Sequence, residues 1–317
     1  KEFLNFEQEH GAFITTNNVR MHYLTWGSPS DTPLIWSHGS LTNAYELLKI
    51  ADGLVKAGYY VIGIDYYGHG QTPLPKHPVS LYHIADDIKF LMDKLKIEKA
   101  VIGGWSRGGA VSTAFYDAYP EKVLGLILED GGSVSINTDY HKMENEKLKK
   151  TLQQIETEFS SQDTSYATEF DAYRGIYDTT ENGNQFQSFA WIQKNASGRY
   201  AVCPGVLELF NMKTAAQWSN NILRPTQSTL FAESFSILEP QIIYRNLQVP
   251  MLILDPISAN DFMKFEDLNA SLKNAHPELI DHIIYQNTGH NIHYEKPKEF
   301  VKDLSSFLAK VKQHNKH

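Results

Sequence analysis

A serine flanked by glycines, at the junction of two predicted elements, constrains this chain more than any other feature. Ala100-Val101-Ile102 is an apolar run typical of a buried strand, and a helix is predicted from Ala110 to Tyr119. Between them lies G-x-S-x-G, formed by Gly104, Ser106 and Gly108. A serine on so sharp a turn has a strained backbone, and a Cβ beside it would strike the turn or the adjacent strand. The Ser106 hydroxyl is therefore predicted at a helix N-terminus, where developing negative charge is favoured.

Size and charge narrow the classes of protein that the chain can be. It has 317 residues, of which 42% are hydrophobic and 21% charged, enough for one large α/β domain or a domain with an insertion. The formal net charge is −8 and basic runs are short, so we expect no nucleic-acid partner. No apolar stretch reaches the length of a membrane span. The single Cys203 excludes an internal disulfide and a cysteine-based zinc site.

The first residues of the chain do not identify the cellular compartment of the protein. Lys1 to Leu4 carry no signal-peptide core, and the chain does not begin with methionine. We expect a soluble protein, either cytoplasmic or exported after removal of a leader, and the sequence does not choose between the two.

Strand and helix signals alternate in the two outer parts of the chain. Predicted strands occupy 13–16, 19–26, 34–36, 59–64, 100–102, 123–128, 249–254 and 279–285, and predicted helices occupy 43–56, 84–95, 110–119, 262–275 and 299–311. Apolar strands that alternate with helices predict an α/β fold, with a mostly parallel twisted sheet covered by helices on both faces. The polar motifs follow the strands, at the edge where such sheets bind ligands.

The alternation stops in the middle of the chain. The stretch from 133 to 246 is rich in Gln, Asn, Ser, Thr and aromatic residues, with amphipathic patches. We predict that it is an inserted, mainly helical cap between the first part of an α/β core, 1–132, and its second part, 247–317. Most of its aromatic residues should form the cap's own core, and a few should line a pocket.

Four motifs follow the predicted strands in order. They are His38-Gly39-Ser40, Asp65 with Gly68-His69-Gly70, Gly104-x-Ser106-x-Gly108, and Gly289-His290. Together they resemble the α/β-hydrolase fold superfamily, in its capped esterase/lipase-like branch, over residues 13–132 and 247–313. The resemblance implies that Ser106 is a nucleophile and that His290 is its base. A serine hydroxyl needs such a base because it is a poor nucleophile at neutral pH.

The acid that completes the triad is left between two aspartates. The resemblance implies an acid after the strand that follows the cap, and there Asp261, 29 residues before His290, is favoured over Asp255 at the strand end. Asp130 is the alternative, because some members of the superfamily carry their acid after the strand that precedes the cap. The other interpretation of Asp130 is that its side chain caps a loop. Either acid would hold the imidazole tautomer and stabilise the imidazolium.

The resemblance also implies an oxyanion hole made by the backbone N–H groups of Ser40 and Arg107. The side chains of both residues are candidates to touch substrate, and Arg107 has the alternative interpretation of a salt-bridging residue. Trp105 is a candidate substrate-binding residue, since it and the aromatic residues of the cap favour an apolar pocket. The expected partner is a small apolar or aromatic acyl compound.

These inferences predict a hydrolase of carboxylic esters, or of lactones or thioesters, with an acyl-enzyme on Ser106 and no cofactor. His290 and His293 lack a matching third ligand for a metal site, and His293 is interpreted as a packing or hydrogen-bonding residue near the final helix. His38 and His69 are interpreted as structural residues of their loop motifs, and neither is assigned as the base. A serine nucleophile argues against haloalkane dehalogenases and epoxide hydrolases, which need a carboxylate there. The same triad would also serve carbon–carbon bond, amide or iminopeptide hydrolysis, or perhydrolysis. A ligand receptor on this scaffold, with little turnover, is the alternative from another class.

Overall fold

The computed structural model describes residues 1–159, 164–177, 184–195, 197–202, 205–259 and 264–316. Its strands are β1 Gly11–Thr15, β2 Arg20–Trp26, β3 Thr32–Ser37, β4 Tyr59–Ile64, β5 Ala100–Trp105, β6 Val123–Glu129, β7 Ser165–Tyr166, β8 Ile192–Lys194, β9 Tyr200–Val202, β10 Met251–Ile257 and β11 Ile280–Gln286.

Helices connect and flank these strands. They are α1 Glu2–His10, α2 Ala51–Ala57, α3 Leu81–Leu95, α4 Arg107–Ala118, α5 Thr138–Lys142, α6 Asn145–Phe159, α7 Glu169–Ile176, α8 Asn184–Phe189, α9 Val206–Leu209, α10 Ala215–Leu223, α11 Leu230–Ser236, α12 Pro240–Ile243, α13 Glu266–Ala275, α14 Ile292–Glu295 and α15 Pro297–His314. Short 3₁₀ helices lie at Ala44–Lys49, Pro120–Lys122, Pro225–Gln227 and Tyr244–Asn246. None of the described helices is both long and apolar enough to cross a membrane.

One large sheet organises the molecule, in the order β1-β2-β4-β3-β5-β6-β10-β11. The six strands from β4 to β11 in this order run parallel, and β1 and β2 add an antiparallel edge. Parallel neighbours need long crossover connections, which helices such as α2, α3 and α4 supply. The predicted α/β fold with a mostly parallel sheet is confirmed.

Helices cover both faces of the sheet, because successive residues of each buried strand point to opposite sides. Val101 packs in a core that includes side chains of α2 and α15, whereas its neighbour Ile102 packs in a core that includes side chains of α3 and α4. All six residues of β5 are buried. The central strand that carries the predicted nucleophile is therefore held on both sides.

The chain between β6 and β10 departs from this alternation, as predicted. Among its described residues it contains α5 to α12, and also a small antiparallel sheet in the order β7-β9-β8. These three strands are not among the predicted ones, because they are only two or three residues long and carry no clear alternation. Phe210, Trp218 and Phe235, from this part of the chain, lie over the start of α4.

Candidate active site

Ser106 occupies the turn between β5 and α4, with φ 56° and ψ −122°. Its N–H donates a hydrogen bond to the Glu129 carbonyl oxygen at 2.8 Å. A Cβ on Gly108 would lie 1.9 Å from the Ser37 carbonyl oxygen, and a Cβ on Gly131 would lie 2.1 Å from the Ser106 carbonyl oxygen. The strained serine is thus enclosed by the ends of β3 and β6, an arrangement that only glycines allow. The predicted sharp turn is present in the structure.

His290 follows β11 and meets an aspartate that follows β6. His290 Nδ1 lies 2.5 Å from Asp130 Oδ2, and the aspartate is buried while the imidazole is one-third exposed. Asp130 itself has φ 44°, in the left-handed region, where the chain turns sharply after β6. When Nδ1–H donates to this carboxylate, Nε2 is left as the acceptor nitrogen of the neutral ring. Ser106 and His290 line the same cavity.

Two other aspartates were considered as the acid, and the structure describes only one of them. Asp261 lies outside the described residues. Asp255 accepts hydrogen bonds from Asn269 Nδ2 at 2.8 and 2.9 Å and also contacts His282 Nε2. Asp255 is therefore engaged between β10, β11 and α13 and not with His290, in agreement with the sequence analysis.

A second acid–histidine pair lies directly behind the first. His293 lies three residues after His290 in the sequence, and Glu129 directly precedes Asp130. The Glu129 carboxylate accepts the His293 N–H at 2.9 Å and lies 2.8 Å from His293 Nδ1 through both oxygens, and both side chains are buried. The role predicted for His293, a packing or hydrogen-bonding residue, is confirmed, whereas the sequence analysis missed Glu129.

Glu46 adds a third buried titratable side chain to this pair. Its carboxylate accepts the Trp36 Nε1–H at 2.6 Å and the Gly39 N–H at 3.4 Å. Burial raises the pKa of Glu46 to about 7, although the nearby His293 opposes the rise. Burial lowers the pKa of His293, but the carboxylates of Glu129 and Glu46 outweigh it, so the net shift is upward. The cluster joins the loop after β3 to the loop that carries His290.

Ser40 and Arg107 meet beside the nucleophile. The Arg107 Nη1 donates to Ser40 Oγ at 3.0 Å, and Arg107 is the first residue of α4, where backbone N–H groups lack intrahelical partners. Trp105 donates its Nε1–H to the His290 carbonyl oxygen at 2.7 Å, and the two rings lie 5.0 Å apart. The structure thus brings together Ser40, Trp105, Ser106, Arg107 and His290 around one cavity.

The two histidines of the loop motifs are buried structural groups, as predicted. His38 Nδ1–H donates to the Gly39 carbonyl oxygen at 2.6 Å, and its Nε2 accepts the Tyr66 N–H at 3.3 Å. Burial lowers the pKa of His38 well below its usual value, and burial lowers the pKa of His69 to about 3. Both rings are therefore neutral at physiological pH, and neither lines the cavity shared by Ser106 and His290.

The cavity over Ser106 has a volume of about 1060 Å³. Besides the site residues it is lined by polar and apolar residues from the chain between β6 and β10, and the apolar and aromatic ones include Ile136, Tyr140, Met143, Phe210, Trp218 and Phe235. This volume suffices for a small organic ligand. Within the ranges that the structure describes, no three His, Cys, Asp or Glu side chains are grouped to hold a metal ion.

Comparison with known sequences places these features in a family. A family model for the α/β-hydrolase fold matches residues 32–297. Human serine hydrolase-like protein 2 is 23% identical over 294 residues, which cover 89% of this chain and 88% of that protein. Several other curated relatives match over less than two thirds of their own length.

Solved structures share the same fold. A carboxylesterase of the thaumarchaeon Nitrososphaera gargenis superposes with a TM-score of 0.64 and 19% identity, covering 95% of this chain and 99% of that one. A thermophilic esterase from Thermogutta terrifontis superposes with a TM-score of 0.62 and 17% identity, covering 95% and 98%. The family match over most of the chain, the strand order of the sheet and the turn at Ser106 indicate the same fold family. The chain belongs to the α/β-hydrolase fold family.

Proposed function

We propose that this chain is a serine hydrolase that cleaves carboxylic esters through a triad of Ser106, His290 and Asp130. The contact between His290 Nδ1 and Asp130 Oδ2 at 2.5 Å, together with the cavity that Ser106 and His290 both line, carries the proposal. Similarity to esterases and to a serine hydrolase-like protein supports it. Lactones and thioesters contain the same electrophilic carbonyl and belong to the same proposal.

The reaction follows from the roles of the three side chains. Ser106 Oγ attacks the ester carbonyl carbon while its proton passes to His290 Nε2, and Asp130 stabilises the imidazolium that forms. The tetrahedral intermediate then breaks its bond to the alcohol oxygen, which takes the proton from His290. Water attacks the resulting acyl-enzyme with His290 again as base, so that the acid is released and Ser106 recovers its proton.

Backbone donors would stabilise the negative oxygen of the tetrahedral intermediate. The N–H groups of Ser40 and Arg107 are the proposed donors, and the side-chain bond between these two residues holds them on the same side of Ser106. One such donor stabilises the transition state by about 3 kcal/mol. Trp105 helps to fix the base, since its indole holds the His290 carbonyl oxygen.

Asp130 replaces Asp261 as the proposed acid because a neutral imidazole has one Nδ1–H to donate, and Asp130 lies at that atom. The chain from 133 to 246 is proposed as the cap between core parts 1–132 and 247–317. Its side chains line most of the cavity over Ser106, so it would select a small-molecule substrate.

The test is hydrolysis of p-nitrophenyl esters, from acetate to decanoate, by the native chain and two variants. We expect Ser106→Ala to lose activity by at least about 1000-fold, because the nucleophile is removed. Ser30→Ala, an exposed serine in the loop before β3, is the matched control and should retain native rates. Native rates in Ser106→Ala would contradict the proposal. Tight ligand retention without turnover would favour a receptor.

A further inference from the structure

The guanidinium of Arg107 enters the cavity next to the proposed nucleophile. Its Nη1 donates to Ser40 Oγ at 3.0 Å. Its Nε is enclosed, and no atom of the described residues accepts a hydrogen bond from it. A guanidinium carries five N–H donors in a planar fork that matches a carboxylate. Toward the described residues the guanidinium makes this one hydrogen bond to Ser40, which leaves other donors of the fork for a ligand.

Aromatic rings surround this cation. Its Cζ lies 4.5 Å from the centre of the Phe210 ring, 5.6 Å from that of Trp218 and 5.8 Å from that of Phe235. Aromatic faces attract a cation but do not accept its hydrogen bonds in the guanidinium plane. Burial lowers the pKa of Arg107, as expected for a cation withdrawn from water, and the group stays charged at neutral pH.

Of the two acidic residues that line the cavity, one has other partners and the other is exposed. Asp139 accepts the Lys264 N–H at 3.1 Å and lies 3.9 Å from Lys142 Nζ, and Glu144 is exposed to solvent. Among the described residues, no carboxylate forms an ion pair with Arg107. The salt-bridge interpretation of Arg107 therefore finds no partner in the described part of the chain.

Arg107 is half-buried, and a charge that is partly removed from water is costly when it has no charged partner. The lysines 142, 147 and 264 also line the cavity, so its cations outnumber its two acids. An anionic ligand would fit this balance of charge. A neutral acyl chain would leave the Arg107 donors unsatisfied when it displaced water from them.

We propose that the Arg107 side chain is an anion subsite and that the substrate is an ester whose acyl part carries a carboxylate. The inference rests on the proposed function and names its substrate class. Because the guanidinium contacts Ser40, a proposed oxyanion-hole residue, the carboxylate lies close to the ester carbonyl. A half-ester of a short dicarboxylic acid has this arrangement. The apolar remainder of the cavity then receives the alcohol group.

The experiment compares monoethyl succinate with ethyl succinamate, its neutral isostere, by pH-stat titration. We expect the native chain to prefer the half-ester, and the ratio of the two kcat/KM values to fall about 10- to 100-fold in Arg107→Gln. Arg107→Lys, which keeps the charge but not the fork, should retain part of the ratio. Lys302→Gln, which removes an exposed cation of α15 that does not line the cavity, is the control and should change the ratio by less than about 3-fold.

A binding measurement separates this inference from the proposed function. Succinate is titrated calorimetrically into Ser106→Ala and into Ser106→Ala combined with Arg107→Gln. Succinate affinity that depends on Arg107 supports the anion subsite even if no ester is hydrolysed. Ester hydrolysis with no preference for the half-ester, and a ratio unchanged in Arg107→Gln, would overturn the subsite and leave the serine hydrolase standing.

Discussion

Replacing Glu129 with glutamine removes the charge that faces His293 beneath the candidate active site. Both side chains are buried, and three contacts of 2.8 to 2.9 Å join them. Glutamine has nearly the same shape, but its amide oxygen carries no full charge and its NH₂ group opposes the His293 N–H groups. The variant therefore leaves the buried His293 with Glu46 as the remaining carboxylate that raises its pKa against the effect of burial.

The size of the effect follows from this burial. Loss of one partner from a buried ion pair destabilises a protein by about 3–5 kcal/mol, and we expect about 3 kcal/mol because glutamine keeps one acceptor. The melting temperature should fall by roughly 5–10 °C. Since Glu129 adjoins Asp130 and His293 is one turn from His290, kcat for a p-nitrophenyl ester should also fall, by up to about 100-fold.

Urea denaturation followed by circular dichroism measures the change in the free energy of unfolding. Glu208→Gln is the matched control, because Glu208 pairs with Lys213 at the surface and its loss should cost less than about 1 kcal/mol. A double-mutant cycle with His293→Gln should give a coupling energy of at least about 1 kcal/mol. A free energy of unfolding within about 1 kcal/mol of the native value in Glu129→Gln would refute the reasoning.

Three other changes test the same account. Asp130→Asn should lower kcat by about 10³–10⁴-fold, because the amide no longer fixes the imidazole tautomer; native kcat in this variant, with loss in Asp261→Asn, would return the role of acid to Asp261. Gly108→Ala should destabilise the fold by about 1–3 kcal/mol and abolish ester hydrolysis, since its Cβ would lie 1.9 Å from a β3 carbonyl oxygen, and a soluble, active variant would contradict this. Burial alone lowers the pKa of His22, but the Asp65 carboxylate at 2.7 Å outweighs it and the pKa is raised to about 9. The resulting stabilisation of about 3 kcal/mol is complete below pH 6.5 and is lost as the pH rises through 9. The free energy of unfolding, measured by urea denaturation at several pH values, should show this dependence in the native chain and not in His22→Gln.

Local patterns were enough to predict the sheet and the serine turn. Apolar runs bounded by turn residues gave most of the strands, and the glycines around Ser106 predicted the close approach that the structure shows at Gly108. The ends of two elements differ from the predicted ones. Strand β5 continues through two glycines to Trp105, and helix α4 begins at Arg107 rather than at 110. These shifts arise because the strand is paired on both sides and the helix starts directly at the turn.

The sequence alone could not determine which aspartate contacts His290. Asp130 and Asp261 each follow a strand, and the contact depends on how tightly the chain turns after β6, where Asp130 adopts φ 44°. Spacing carries no information on that turn. Spacing likewise carries no information on Glu46 and Glu129, which are distant in sequence but both act on His293 in the folded chain.

The surroundings of Arg107 were equally beyond sequence reasoning. The three aromatic rings around its guanidinium come from two helices and a turn of the segment between β6 and β10. Their positions depend on how that segment packs over α4. Its aromatic composition predicted a pocket lining in general, but not that these rings would enclose a cation.

The most direct test of the central claim is the site of labelling by a fluorophosphonate, which reacts with a serine that has an activating base. Trypsin cleaves after Lys99 and Arg107, so Ser106 lies in the peptide 100–107. We predict one phosphonyl group per chain, located on this peptide by mass spectrometry, with none in Ser106→Ala and slower labelling in His290→Ala. Ester hydrolysis by a native chain that carries no label on this peptide would contradict the account.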